Sequence, residues 1–110
     1  MTNGFEAFQG CDIRVGTVVE VQSFPEARKP ALKVWVDFGE LGVKKTSAQI
    51  TDRYTAEGLV GRQVFGLLNV DPRQVGPLMS EFLLLGAHNA EGEVQLAQPD
   101  GHIQNGAKLA

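Results

Sequence analysis

The sequence predicts an all-β domain with one short helix, built as a small five-stranded barrel. Three observations point there. β-branched and alternating apolar runs recur between Asp12 and Gln98, separated by turn residues. Thirteen glycines and five prolines punctuate them, which suits tight turns better than a helical bundle. Only the stretch after Thr51 breaks the strand rhythm with helix signals.

Residues 1–11 are polar apart from Phe5 and Phe8, whose spacing puts two rings on one side of a short helix or arm. Asp12–Val21 is a long β-branched strand, and Gly16 within it marks a bulge or sharp bend. Phe24-Pro-Glu-Ala-Arg-Lys-Pro is a loop closed at both ends by proline. Ala31–Phe38 alternates cleanly, with Leu32, Val34, Val36 and Phe38 on one face and Lys33, Trp35 and Asp37 on the other. Glu40-Leu-Gly is a turn, and Val43–Ile50 a third strand in which Lys45, Ser47 and Gln49 alternate against Lys44, Thr46, Ala48 and Ile50. Thr51 or Asp52 is the expected N-cap of the short helix, with Gly58 or Gly61 as its stop. Arg62–Val70 and Ser80–Ala87 are the fourth and fifth strands, and Val94–Gln98 a short sixth. Three strands, a helix, then two or three strands match the five-stranded Greek-key barrel called the OB-fold. The pattern alone also admits an SH3-like barrel.

Length and composition narrow the function. At 110 residues and 43% apolar content, residues 1–110 form one domain with a modest core. No run approaches the roughly 20 apolar residues of a membrane span, and the first residues lack a secretory signal pattern, so a cytoplasmic location is expected. The lone Cys11 forms no internal disulfide, and with only His88 and His102 beside it there is no metal pattern. Ser80, His88 and Asp100 are triad residue types, but no nucleophile-elbow motif surrounds the serine, so no enzyme is expected. Nor is there a phosphate-cradling glycine loop, and no cofactor is expected.

The net charge of −3 argues against a general nucleic-acid binder, but its distribution is uneven. Arg28, Lys29, Lys33, Lys44, Lys45 and Arg53 fall in a segment that carries only Asp37, Glu40 and Asp52 as acids. That segment is either a basic patch or a solvated strand surface. The stretch Asn69-Val-Asp-Pro-Arg then leads through Gly76-Pro77 to Ser80-Glu-Phe-Leu-Leu-Leu-Gly, and reads as strand, loop, strand. The loop holds Asp71 and Arg73 between apolar strands, where they can meet a ligand.

These segments carry a resemblance. Asp12-Ile-Arg-Val-Gly-Thr-Val, Phe24-Pro-Glu-Ala-Arg, Ser47-Ala-Gln-Ile-Thr, Asn69-Val-Asp-Pro-Arg and Ser80-Glu-Phe-Leu-Leu-Leu-Gly resemble the tRNA-binding domain family over about residues 5–110. Synthetase-linked members read Ala-Asp-Lys-Leu in the first loop and Ser-Glu-Gly-Met or Ser-Gly-Met in the last motif. Here Ala27–Leu32 is two residues longer and the last motif reads Ser80-Glu-Phe-Leu, so the chain looks more like the free-standing, export-related chaperone branch.

The resemblance implies an OB-fold and a homodimer whose terminal segments, residues 1–11 and 99–110, help form the interface. Phe5, Phe8, Ile103 and Leu109 suit that role, or they plug one barrel end within the monomer. It implies binding of tRNA or another structured RNA, with phosphate contacts from Arg28, Lys29, Lys33, Lys44, Lys45, Arg53 and Arg73. Ser47, Gln49, Asn69 and Ser80 then offer hydrogen bonds, and Glu81 orients Arg73 or Arg28. Trp35 stacks on a base or serves as a dimer or peptide contact. The alternative function is nucleotide-independent binding of unfolded precursor proteins, for which Phe82 adds apolar surface unless its ring fills the core.

Overall fold

The computed structural model describes residues 3–110; Met1 and Thr2 of the expected arm lie outside the described residues. Its elements run α1 (Gly4–Gln9), β1 (Ile13–Ser23), β2 (Leu32–Asp37), β3 (Val43–Ala48), α2 (Ala56–Leu59), β4 (Gln63–Leu67), β5 (Arg73–Val75), β6 (Leu78–Ser80), β7 (Leu83–Leu84), β8 (Gly86–His88) and β9 (Val94–Leu96). One antiparallel sheet in the order β3-β2-β1-β4-β7 curls into the nearly closed barrel of an OB-fold.

Alternation decides which side chains fill that barrel. Val34 and Val36 of β2 are wholly buried and pair across β1 with Val21 and Val18, while Lys33 and Trp35 face outward. Phe38 and Phe82 meet edge to face inside, with ring centroids 5.1 Å apart. Val18, Leu32, Ile50, Leu59 and Val64 complete the cluster. Burying each such side chain stabilises the fold by about 1.5–3 kcal/mol.

Two glycines admit close approaches. A Cβ on Gly66 would lie 2.8 Å from both the Phe38 and Phe82 rings. A Cβ on Gly16 would lie 2.8 Å from the Asp37 carbonyl oxygen. The β1 irregularity expected at Gly16 falls instead between Val18 and Glu20, so Gly16 serves packing against β2 rather than a bulge.

The helix starts later than expected. The third strand stops at Ala48 rather than Ile50; Ile50 is buried just beyond it, and its carbonyl accepts from the Arg53 and Tyr54 amides, so Thr51–Arg53 forms a turn. Thr55 is the N-cap, its Oγ1 accepting from Gly58 N–H at 3.1 Å, and Gly58 lies inside the helix rather than at its end. Gly61 follows the helix at φ 94°.

The open seam between β3 and β7 is bridged by residues 81 and 82. Glu81 N–H donates to the Lys45 carbonyl, and the Thr46 hydroxyl donates to the Phe82 carbonyl at 2.7 Å. The two chain ends dock differently. The tail runs beside the start of β1, where Val15 N–H donates to Ala107 O, Gly106 N–H to Val15 O and Leu109 N–H to Ile13 O. Helix α1 is tethered through Asn69, which accepts from Asp12 N–H and donates to the Gly10 carbonyl. It buries none of its residues, and Phe5 is 69% exposed. Among the described residues no helix is long and apolar enough to cross a membrane.

Candidate nucleic-acid interface

A second, smaller apolar cluster organises one side of the barrel. Phe24 and Ala31, from the loop between β1 and β2, pack on Leu78 of β6, with Ala27 and Val75 against them. This ties the loop that carries Arg28 and Lys29 to the hairpin that carries Arg73. Lys33 lies over the same cluster, its Nζ 5.0 Å from the Phe24 ring centroid.

The 71–81 segment departs from the expected strand, loop, strand. Arg73–Val75 and Leu78–Ser80 pair as a tight hairpin, in which Gly76 supplies the positive φ (54°) that such turns need. Pro72 precedes the ladder and Pro77 sits in the turn, so neither removes a needed donor. Arg73 faces Ser80 in register, and the Ser80 hydroxyl shares a 2.6 Å hydrogen bond with that of Thr46. The fifth strand expected over Ser80–Ala87 is accordingly split among β6, β7 and β8.

Between the hairpin, the end of β3, β7 and the β8–β9 hairpin lies an open cavity of about 730 Å3. Five of the candidate RNA-contacting residues line it, namely Lys29, Ser47, Gln49, Arg73 and Ser80, and buried Phe82 lies at its floor. Its apolar wall includes Leu84, Val94 and Leu96, and two carboxylates, Asp52 and Asp71, share the lining with the two cations.

The other candidates are distributed around this opening. Cross-strand register puts Lys33 opposite Ser47 and Trp35 opposite Lys45, so these four share the outer face of β2 and β3. Lys44 pairs with the buried Val36 and therefore belongs to the opposite face, apart from Lys45. Arg28 is exposed in the loop. Arg53 lies in the turn before α2, with its guanidinium 3.8 Å from Glu93.

Three expectations need correction. Glu81 orients neither Arg73 nor Arg28; its carboxylate accepts from the Lys45 amide at 2.9 Å and fixes the seam. Asn69 has its side chain committed to the Gly10 and Asp12 backbone, at the root of α1. Phe82 is only 3% exposed, because its ring completes the barrel core against Phe38, and it adds no apolar surface for a peptide. Sequence reasoning missed Asp52 and His88 as cavity residues. Nothing in their local pattern marks them, since only the barrel's closure brings them to the same opening.

The family model described as "Putative tRNA binding domain" matches residues 13–108. The chain belongs to the tRNA-binding domain family. A methionine–tRNA ligase of Porphyromonas gingivalis is 36% identical over 105 residues, 96% of this chain, but the chain spans about 15% of that ligase's length. Two solved structures align along their whole length. The chaperone CsaA of Bacillus anthracis is 44% identical, covers 100% of both chains and superposes with a TM-score of 0.92. The CsaA chaperone of Picrophilus torridus is 40% identical, covers 99% of this chain and 100% of its own, and gives 0.91.

Proposed function

We propose that this tRNA-binding-domain protein is a non-catalytic RNA-binding module that holds tRNA on the surface around the Phe24–Leu78 cluster. The observation that carries this reading is that cluster itself. It welds the Arg28–Lys29 loop to the Arg73 hairpin beside the outward-facing Lys33, Trp35 and Lys45. Cations from three chain segments then meet RNA phosphates from one side, while Ser47 and Trp35 reach sugars and bases. The negative total charge is tolerated because phosphates respond to the local field within about 10 Å. The single domain works in the cytoplasm as a homodimer, in which Phe5, Phe8 and the docked tail of each copy cover one another.

A second reading is supported by the whole-length similarity to the two CsaA chaperones. In it the dimer binds unfolded precursor proteins for export, without nucleotide and without turnover. Salt separates the two. Filter retention of tRNA should fall by orders of magnitude between about 50 and 200 mM salt if several phosphates are engaged. Binding of an unfolded polypeptide through apolar contacts should barely change. Salt-insensitive tRNA retention would defeat the first reading.

A further inference from the structure

A groove meant only for phosphates would be spoiled by acids, yet Asp52 and Asp71 line the cavity together with Lys29 and Arg73. Neither carboxylate is paired with a cation within 4 Å among the described residues, where the ion pairs are Arg14–Asp12 and Arg53–Glu93. The cavity therefore presents two free acids, two free cations and an apolar wall in one opening.

Its volume, about 730 Å3, lies inside the roughly 300–1,000 Å3 range of small-molecule sites. One class of ligand carries all the complementary features. A nucleotide swung out of a strand has a flat apolar body, an anionic phosphate and a base edge that donates hydrogen bonds.

Resting on the RNA reading above, we propose that this cavity receives a single unpaired nucleotide whose base carries an amino group on its Watson–Crick edge. Lys29 and Arg73 hold its phosphate. Leu84 and Val94 flank the base, with the exposed His88 ring at the same opening. Asp52 and Asp71 accept hydrogen bonds from the amino edge of cytosine, adenine or guanine, as carboxylates do from the cytosine N4 amine. Uracil is rejected, because its edge carries a single N–H between two carbonyls that would face the carboxylates. The acids thus discriminate, and the cations position.

The test uses the full chain with fluorescent ten-nucleotide cytidine and uridine strands, with unlabelled tRNA measured in parallel. Cytidine should bind about tenfold more tightly than uridine, the discrimination of one good base contact. Asp52→Asn with Asp71→Asn, isosteric changes at two exposed sites, should bring that ratio close to one and leave the melting temperature unchanged. If wild type retains tRNA with a steep salt dependence but binds both strands equally, the cavity assignment falls and the RNA reading survives. Discrimination that persists in the double variant also overturns the assignment. An unfolded polypeptide that displaces the cytidine strand while tRNA stays bound gives the cavity to a protein ligand and overturns it too. Failure to retain tRNA at all defeats the underlying reading, which the parallel measurement detects separately.

Discussion

Lys45 and Glu81 are joined twice across the barrel seam. Glu81 N–H donates to the Lys45 carbonyl at 2.9 Å, and Lys45 N–H donates to the Glu81 carboxylate at 2.9 Å. Lys45 is thus held by its backbone, with its ammonium on the outer face beside Trp35. Glu81→Ala leaves the Lys45 amide without its acceptor and should cost about 1.5–3 kcal/mol. Thermal melting should read this as a drop of several degrees, and Glu81→Gln, which keeps a neutral acceptor, should lose about half as much. Equal melting temperatures for all three proteins would show that the clasp contributes nothing.

Gly66 has no room for a methyl group. With the Phe38 and Phe82 rings each 2.8 Å from where its Cβ would lie, Gly66→Ala must push two core rings apart. The expected cost is about 1–3 kcal/mol, measured by urea denaturation. Gly92, whose Cβ position is open, is the useful contrast for space, although its φ of 80° adds backbone strain of its own.

Charge reversal tests the proposed RNA surface. Lys45→Glu with Arg73→Glu changes one cation on the sheet face and one at the cavity, and neither residue is in an ion pair among the described residues. tRNA retention should be lost at moderate salt, and the dependence of log K on log salt should flatten by about one per contact removed. Circular dichroism should show an intact barrel. Lys44→Glu, on the opposite face, should weaken retention far less; equal losses would remove the sidedness from the proposal.

The arm makes a separate prediction. Asn69→Ala removes both hydrogen bonds that hold the root of α1, at about 0.5–1.5 kcal/mol each. Amide exchange over residues 4–10 should quicken while the barrel amides keep their protection. Phe5→Ser with Phe8→Ser should shift sedimentation from dimer towards monomer, since neither ring is buried within its own chain. A species that sediments unchanged would take the arm out of the interface.

Period-two alternation made the centre of the fold legible: Leu32, Val34, Val36 and Phe38 turn inward and are buried as their spacing requires. The hairpin at 73–80 was not legible, because Pro72 and Pro77 look like breakers until they are seen at its edge and tip. Side-chain roles that depend on closure were equally hidden. Glu81 sits next to Ser80 and near Arg73 in sequence, yet its partner is 36 residues away on β3. The cavity illustrates the same limit, since Lys29, Asp52, Asp71 and His88 come from four separate loops or strands.

The tail bound beside Ile13–Val15 has a consequence for the order of synthesis. These first strand residues have β4 on one side and residues 106–109 on the other. On the ribosome, β1 emerges long before that second neighbour exists. The nascent chain therefore displays a bare, β-branched strand margin until residues 106–109 have been translated, and it is during this interval that the molecule is most prone to stick to its siblings.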